Sequence, residues 1–219
     1  TTRRHSSAAS DVYKRQVLTS NVLFSQNFLK TSGRSIINQN GDTIVLRGMG
    51  LGGWMVQEGY MMAPGGFSGT QFQIRDNITD LIGEEETEKF YNKWLNNHVR
   101  KIDIDSMKAW GFNLVRVPIH YNLFTKPIEE ETFPGSYTEI EKGYTLLDSL
   151  LEWCQVNEMY MMIDLHAAPG GQGYNADISD YDSSKFSLWE SVANQDKTVE
   201  LWKLSLIHIS EPTRLGRIS

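Results

Sequence analysis

The chain has 219 residues, of which 40% are hydrophobic and 11% aromatic, and its formal net charge is −6 at pH 7. This length and apolar content suit one globular domain with a substantial core. The acidic balance argues against nucleic acid as a partner, and no apolar run reaches the roughly eighteen residues of a membrane-spanning segment. The single cysteine, Cys154, excludes an intrachain disulfide and a multi-cysteine metal site.

The two ends carry a pattern that indicates a non-native origin. Residues 11–16 read DVYKRQ, and residues 204–209 read LSLIHI. The DNA string GATGTGTATAAGAGACAG encodes the first hexapeptide, its reverse complement encodes the second, and the string resembles a transposase adapter used in sequencing libraries. Translated scars of this kind carry no information about the fold. We therefore expect adapter-derived tails at 1–16 and 204–219 and a natural segment at 17–203 that is cut at both ends.

Short strands and turns are predicted first along the natural segment. Residues 28–47 predict two or three strands, with a tight turn at Asn40 and Gly41. Residues 44–46 predict a short buried strand, and the glycine-rich stretch 48–54 follows it. The later elements are a helix at 84–100, a short helix near 103–110, a strand at 114–119, a helix at 144–158, a strand at 160–165 that ends at His166, and a helix at 186–203. The helix at 144–158 has an apolar stripe of Leu147, Leu150, Leu151 and Cys154, and the apolar residues of the last helix are Trp189, Val192, Val199 and Trp202.

The alternation of strand and helix predicts an α/β fold with right-handed crossovers and a parallel sheet. Each predicted strand leads into a loop rich in glycine, proline, histidine and aromatic residues, which is the active-site end of a (β/α)₈ barrel. A flavodoxin-like sheet has the same alternation, so the pattern alone leaves both folds open. The chain contains neither a dinucleotide-binding glycine motif nor a phosphate-binding lysine loop.

The first group of candidate functional residues lies in the stretch 48–60. Its glycines allow the backbone to approach a ligand closely. Trp54 offers a flat apolar face, and Glu58 offers a carboxylate that accepts hydrogen bonds. An aromatic face beside a carboxylate suits a sugar ring, although a loop with a core tryptophan has the same composition.

Charged residues mark the two buried strands. Arg116 lies inside the first, and a guanidinium there needs a partner, for which a carboxylate on the neighbouring strand is expected. Asp164 and His166 share one face of the second strand, because side chains alternate along a strand. Such a pair could ligate a metal, but a histidine that forms hydrogen bonds in a polar cleft is the preferred interpretation. His120 and Tyr121 follow the first strand at its mouth.

Three motifs resemble successive signatures of glycoside hydrolase family 5, whose members include cellulases and exo-1,3-β-glucanases. They are LRGMGLGGW at 46–54, GFNLVRVP at 111–118 and DLHAAPG at 164–170. Their order and spacing match over nearly all of 42–203. The resemblance implies a partial (β/α)₈ TIM barrel, roughly the first three βα units plus an N-terminal β-hairpin.

The resemblance also implies retaining hydrolysis of β-linked oligo- or polysaccharides by two glutamates, one after strand four and one after strand seven. This chain ends before either position, and Glu190 and Glu200 do not correspond to them. No cofactor or metal is expected. The implied enzyme is a monomer, without a nucleic-acid partner or a membrane-spanning segment, and is extracellular or periplasmic.

The resemblance assigns roles residue by residue. Arg116 matches the arginine that steadies the nucleophile, and His166 matches the histidine beside the sugar at the cleavage site. Candidate substrate-binding residues are Glu58, Trp54, His120, Tyr121 and Asn175. Asn175 lies in the loop that contacts the same sugar, but residues 172–175 depart from the commoner family pattern. A non-catalytic carbohydrate-binding barrel and a metal-dependent barrel hydrolase that uses Asp164 and His166 remain as alternatives.

Overall fold

The structure, a computed structural model, describes residues 29–61 and 69–210. The chain divides into two compact units, one that ends at Ile44 and one that begins at Val45. In the first unit, β1 (Lys30–Ser32) and β2 (Ser35–Ile37) form an antiparallel hairpin.

The predicted turn at Asn40 and Gly41 is present, but it does not close that hairpin. It leads from β2 to an isolated bridge between Ile37 and Thr43, and the Asn38 side chain accepts hydrogen bonds from backbone amides inside the turn. The strand predicted at 44–46 is wrong, because these residues form no strand and Val45 is exposed.

The second unit is built on a parallel sheet of three strands in the order β3, β4, β5. The strands are β3 (Gly48–Gly50), β4 (Leu114–His120) and β5 (Tyr160–Ala167). Gly50 pairs with Arg116, and Arg116 pairs with Met162. The predicted parallel sheet is therefore confirmed, with its first strand four residues later than expected.

Six α-helices are present in the described residues. They are α1 (Gln71–Ile82), α2 (Glu84–Asn97), α3 (Lys101–Ala109), α4 (Glu141–Val156), α5 (Ala176–Ser179) and α6 (Val192–Ser210). Helix α1 was not predicted from apolar spacing, yet its start is encoded locally: Thr70 caps it, and Gln73 completes a capping box. Within the described residues, no helix is long and apolar enough to span a membrane.

The core lies between one face of the sheet and the helices. Val115, Val117 and Ile119 alternate along β4 with no exposed surface. They belong to the same apolar cluster as Leu150 and Cys154, which lie on the predicted stripe of α4. This burial follows from the alternation of side chains along β4 and from the helical spacing along α4.

Helix α6 differs from its prediction in both its start and its buried face. It begins at Val192 rather than near 186, and Trp189, Val192 and Val199 are exposed. Its buried face instead carries Leu201 with two polar residues, Asn194 and Lys197. The expected boundary at 203–204 falls inside this helix. The expected tail at 1–16 and the last nine residues of the expected tail at 204–219 lie outside the described residues.

Candidate active site

A cavity of about 320 Å³ opens on the face of the sheet that the helices do not cover. Its polar lining comes from Glu58, Tyr60, Arg116 and His166, and its apolar lining from Met61, Pro118 and Ile178, with Gly50 and Gly52 between them. Three of the residues predicted for the site, Glu58, Arg116 and His166, are therefore brought together.

An ion pair across two strands forms the floor of the cavity. Because β4 and β5 are parallel and in register, Arg116 and Asp164 point to the same face. The Arg116 guanidinium donates to the Asp164 carboxylate, as expected for a carboxylate on the neighbouring strand. The Arg116 side chain is 44% exposed, so the expectation that it is enclosed is wrong: its face of the sheet is open in the described residues.

His166 connects this ion pair to Glu58. Its Nδ1 lies 2.9 Å from Asp164 Oδ2 and 3.3 Å from a guanidinium nitrogen of Arg116. Nε2 then faces the Glu58 carboxylate at 3.7 Å. Arg116, Asp164, His166 and Glu58 thus form one continuous row of charged and polar groups.

Glu58 is placed by the segment that follows β3. Met55 forms a parallel bridge with Ile119 and accepts a hydrogen bond from the His120 amide at 3.1 Å. The Glu58 side chain is only 4% exposed but lines the cavity. Tyr60 stands beside it, and its pKa is raised by partial burial, by the charge on Glu58 and by their hydrogen bond. Tyr60 was not predicted as a site residue.

Trp54 does not line the cavity, so its predicted role as a sugar platform is wrong. The residue is 2% exposed, and its Nε1 donates to the Leu95 carbonyl at 2.8 Å. Gly53, with a φ of +74°, turns the chain at this point, and its carbonyl accepts from Trp94 Nε1 at 2.9 Å. The alternative interpretation, a core tryptophan, describes what is observed.

His120 and Tyr121 lie behind the cavity rather than in its lining. His120 is 1% exposed, with Nε2 2.7 Å from Asp180 Oδ2, and Tyr121 stacks on it with ring centroids 5.0 Å apart. Burial raises the pKa of Tyr121, and the Asp180 charge raises it further. The prediction that these two side chains bind substrate is corrected, because neither is placed to touch a ligand in the cavity.

Asn175 is exposed and precedes α5, where its carbonyl accepts a hydrogen bond from Ser179 Oγ at 3.0 Å. It does not line the cavity, and its contact with substrate stays a prediction. Ile178, three residues later, lines the wall instead. Gln172 holds this loop to the end of β5, since it accepts from the Ala168 amide and donates to the His166 carbonyl.

The remaining acidic candidates are engaged elsewhere. Glu190 accepts from the amide and hydroxyl of Ser187 before α6, and Glu200 pairs with Lys203. Neither lines the cavity. No group of three or more His, Cys, Asp or Glu side chains in the described ranges could hold a metal ion.

Comparison with known proteins identifies the family. A family model described as cellulase (glycosyl hydrolase family 5) matches residues 68–200. A beta-xylosidase of Phanerodontia chrysosporium is 34% identical over 187 residues, which cover 85% of this chain and 37% of that protein. Glucan 1,3-beta-glucosidase 2 of Saccharomyces cerevisiae is 30% identical over 152 residues, which cover 60% of this chain and 26% of the relative. The chain thus spans well under half of the relatives' length.

Solved structures agree on the fold. The crystal structure of rutinosidase from Aspergillus niger superposes with a TM-score of 0.57 at 18% identity, covering 75% of this chain and 45% of that one. The crystal structure of AoRut matches with a TM-score of 0.58, also at 18% identity, over 76% of this chain and 45% of that one. The predicted partial (β/α)₈ barrel is confirmed, and the chain belongs to glycosyl hydrolase family 5.

Proposed function

We propose that the full-length protein carrying this chain is a glycosidase that hydrolyses β-glucan-type polysaccharides. The observation that carries the proposal is the row of Arg116, Asp164, His166 and Glu58 along one cavity in a family 5 chain. The names of two relatives, a glucan 1,3-beta-glucosidase and a beta-xylosidase, support a β-linked glycan as substrate.

The proposed chemistry is a double displacement with retention of configuration. It requires an acid/base glutamate and a nucleophilic glutamate with their carboxyl groups about 5 Å apart. We propose that both follow later strands of the barrel, beyond residue 219. Within this chain, the Arg116 charge would keep a neighbouring nucleophile ionised, because a nearby positive charge lowers the pKa of a carboxylate.

The other groups of the cavity would bind and orient the sugar. Glu58 offers a carboxylate to sugar hydroxyls, and a charge-assisted hydrogen bond of this kind is stronger than a neutral one. His166 would present Nε2, because its Nδ1 is engaged with Asp164 and Arg116. Asp164 is already paired with Arg116, which supports this arrangement over the metal-dependent alternative.

We also propose that residues 17–203 form the N-terminal part of the catalytic barrel and that 1–16 and 204–219 are adapter-derived. The full-length enzyme is proposed to be an extracellular or periplasmic monomer. The match to the fungal beta-xylosidase, which covers 85% of this chain, supports assigning most of the chain to one enzyme domain.

Hydrolysis of laminarin, a soluble β-1,3-glucan, tests the proposal. The full-length protein should release reducing sugar, and proton NMR should show that the first product keeps the β configuration. The pure 219-residue chain should release none. Binding of laminarin without hydrolysis by the full-length protein would instead favour the non-catalytic carbohydrate-binding barrel, and sugar release by the 219-residue chain would refute the placement of both catalytic carboxylates outside it.

A further inference from the structure

Asp180 lies outside the cavity lining, yet its carboxylate joins β4, which lines the cavity, to α1, which contacts the segment that carries Glu58. It follows α5 in a left-handed backbone conformation, with a φ of 52°. Oδ2 lies 2.7 Å from His120 Nε2 at the end of β4, and Oδ1 accepts from the Phe72 amide at 3.0 Å. A non-glycine residue in this conformation is costly unless its surroundings hold it there.

The orientation of His120 is fixed from both sides of its ring. Nδ1 accepts a hydrogen bond from the Asn122 amide at 3.1 Å, so the ring hydrogen of neutral His120 lies on Nε2. That hydrogen is donated to Asp180. Since the ring is almost fully buried, loss of either bond would leave a buried polar atom unsatisfied.

The contact with Phe72 connects Asp180 indirectly to the segment that carries Glu58. Phe72 is in the first turn of α1, where backbone amides have no partner within the helix and attract a carboxylate. In the same turn, Gln71 Oε1 accepts from the Gln57 amide at 2.7 Å, and Gln57 directly precedes Glu58. Asp180 itself lies two residues after Ile178, which lines the cavity.

Burial would by itself raise the pKa of Asp180. The hydrogen bonds from His120 and from the backbone amides of Phe72 and Gln71 outweigh burial and lower that pKa. The carboxylate is therefore ionised, with both oxygens available as acceptors.

We propose that Asp180 is a positioning residue that sets the separation between the Glu58 wall and the Ile178 wall of the cavity, by fastening His120 and the first turn of α1 to one carboxylate. Its effect on catalysis rests on the proposed glycosidase function. Because Asp180 holds walls rather than reacting groups, its loss should weaken substrate binding more than the chemical step.

Asp180→Asn is the sharpest variant because an asparagine side chain has one acceptor oxygen. It can accept from His120 or from the Phe72 amide, but not from both. Asp182→Asn is the matched control, since the Asp182 carboxylate contacts only the nearby Ser184 and Lys185.

NMR of the 219-residue chain tests the contacts without any need for activity. In the unsubstituted chain, ring nitrogen shifts should show His120 protonated at Nε2, and protonation at Nδ1 would overturn the proposal even if no variant folds. In Asp180→Asn, the Phe72 amide or the ring hydrogen should exchange at least about tenfold faster, and the Glu58 and Ile178 amide signals should shift. If the exchange rates and amide signals of Asp180→Asn match those of Asp182→Asn, the proposal is also overturned.

Kinetics of the full-length protein on laminarin test the consequence. Asp180→Asn should raise KM about tenfold and leave kcat within about threefold, whereas Asp182→Asn should change neither. A tenfold fall in kcat with an unchanged KM would contradict the positioning role. If the unsubstituted protein does not hydrolyse laminarin, the proposed function fails, and the exchange measurement alone decides the role of Asp180.

Discussion

The two faces of the β4–β5 sheet perform different tasks with alternate residues of the same strands. On the helix-covered face, Val115, Val117 and Ile119 have no exposed surface. On the open face, Arg116 reaches Asp164 across the sheet and lines the cavity. Adjacent residues of a strand therefore have different roles: those on one face stabilise the fold, and those on the other carry the proposed chemistry.

The largest expected effect comes from the open face. In the full-length protein, Arg116→Ala should lower kcat/KM at least about a thousandfold, because it removes the charge beside the proposed nucleophile and leaves Asp164 and His166 without their partner. The free energy of unfolding should change little, since the side chain is partly exposed. Steady-state kinetics and urea unfolding on the same preparation check both.

Cys154→Ser is the matched control on the helix-covered side. Cys154 is fully buried in the apolar cluster, so a hydroxyl there should lower stability by about 1–3 kcal/mol. Activity per folded molecule should not change. Near-normal turnover in a folded Arg116→Ala variant would show that Arg116 has no role in the site. The two faces of the sheet would then not differ in their contribution to activity.

A buried ion pair is the exception on the helix-covered side. Lys197 of α6 pairs with Glu131, and both side chains are 3% exposed. Burial alone would raise the pKa of Glu131, but the hydrogen bonds from Lys197 and Thr138 outweigh it and lower the pKa to about 2. Lys197→Met should therefore cost about 3–5 kcal/mol, because it leaves the carboxylate buried and unpaired.

The same pair predicts an acid dependence of stability. A carboxyl group with a lowered pKa in the folded state stabilises the fold above its ordinary value of 4.5, and that contribution is lost as the pH falls toward 2. Urea unfolding of the 219-residue chain from pH 5 to pH 2.5 should show this loss. Glu131→Gln should have a shallower dependence, and an identical slope in both proteins would contradict the assignment.

An intermediate effect is expected from a single apolar side chain of the core. Leu150 on α4 is fully buried in the cluster that covers β4. Leu150→Ala should lower the free energy of unfolding by about 2–5 kcal/mol through lost burial and a cavity. Urea unfolding measures the change, and a loss below about 1 kcal/mol would show that this face is not the core.

The smallest effect is expected at Val192, one of the apolar residues of the predicted helix at 186–203. It is 70% exposed in the structure. Val192→Ala in the 219-residue chain should change stability by less than about 0.5 kcal/mol. A loss as large as that of Leu150→Ala would show that Val192 is buried and contradict the observed orientation of α6.

The sequence predicted best where a local pattern decides the structure. The apolar runs of β4 and β5 mark both strands to within two residues, and the alternation of side chains places Asp164 with His166 on one face. Two of the family motifs contain Arg116 and His166, and the wider resemblance adds Glu58; all three residues line the cavity.

Prediction failed where distant partners decide the structure. A tryptophan beside glycines can line a cleft or lie in the core. Trp54 lies in the core, where its Nε1 donates to the carbonyl of Leu95, 41 residues away in the sequence. Asp180 meets His120 across 60 residues of sequence, with no local signal for the contact. Lys197 is buried on α6 because Glu131 neutralises it, so apolar spacing pointed to the wrong face of that helix.

The most direct test of the central claim is a crystal structure of the full-length protein with laminaribiose, a β-1,3-linked glucose disaccharide. We expect one glucose ring in the cavity, with a hydroxyl within about 3 Å of a Glu58 carboxylate oxygen. His166 Nε2 should face the same ring, and the Arg116–Asp164 ion pair should be intact beneath it. A disaccharide bound elsewhere, with Glu58 and His166 touching no sugar, would contradict the assignment of this cavity as the active site.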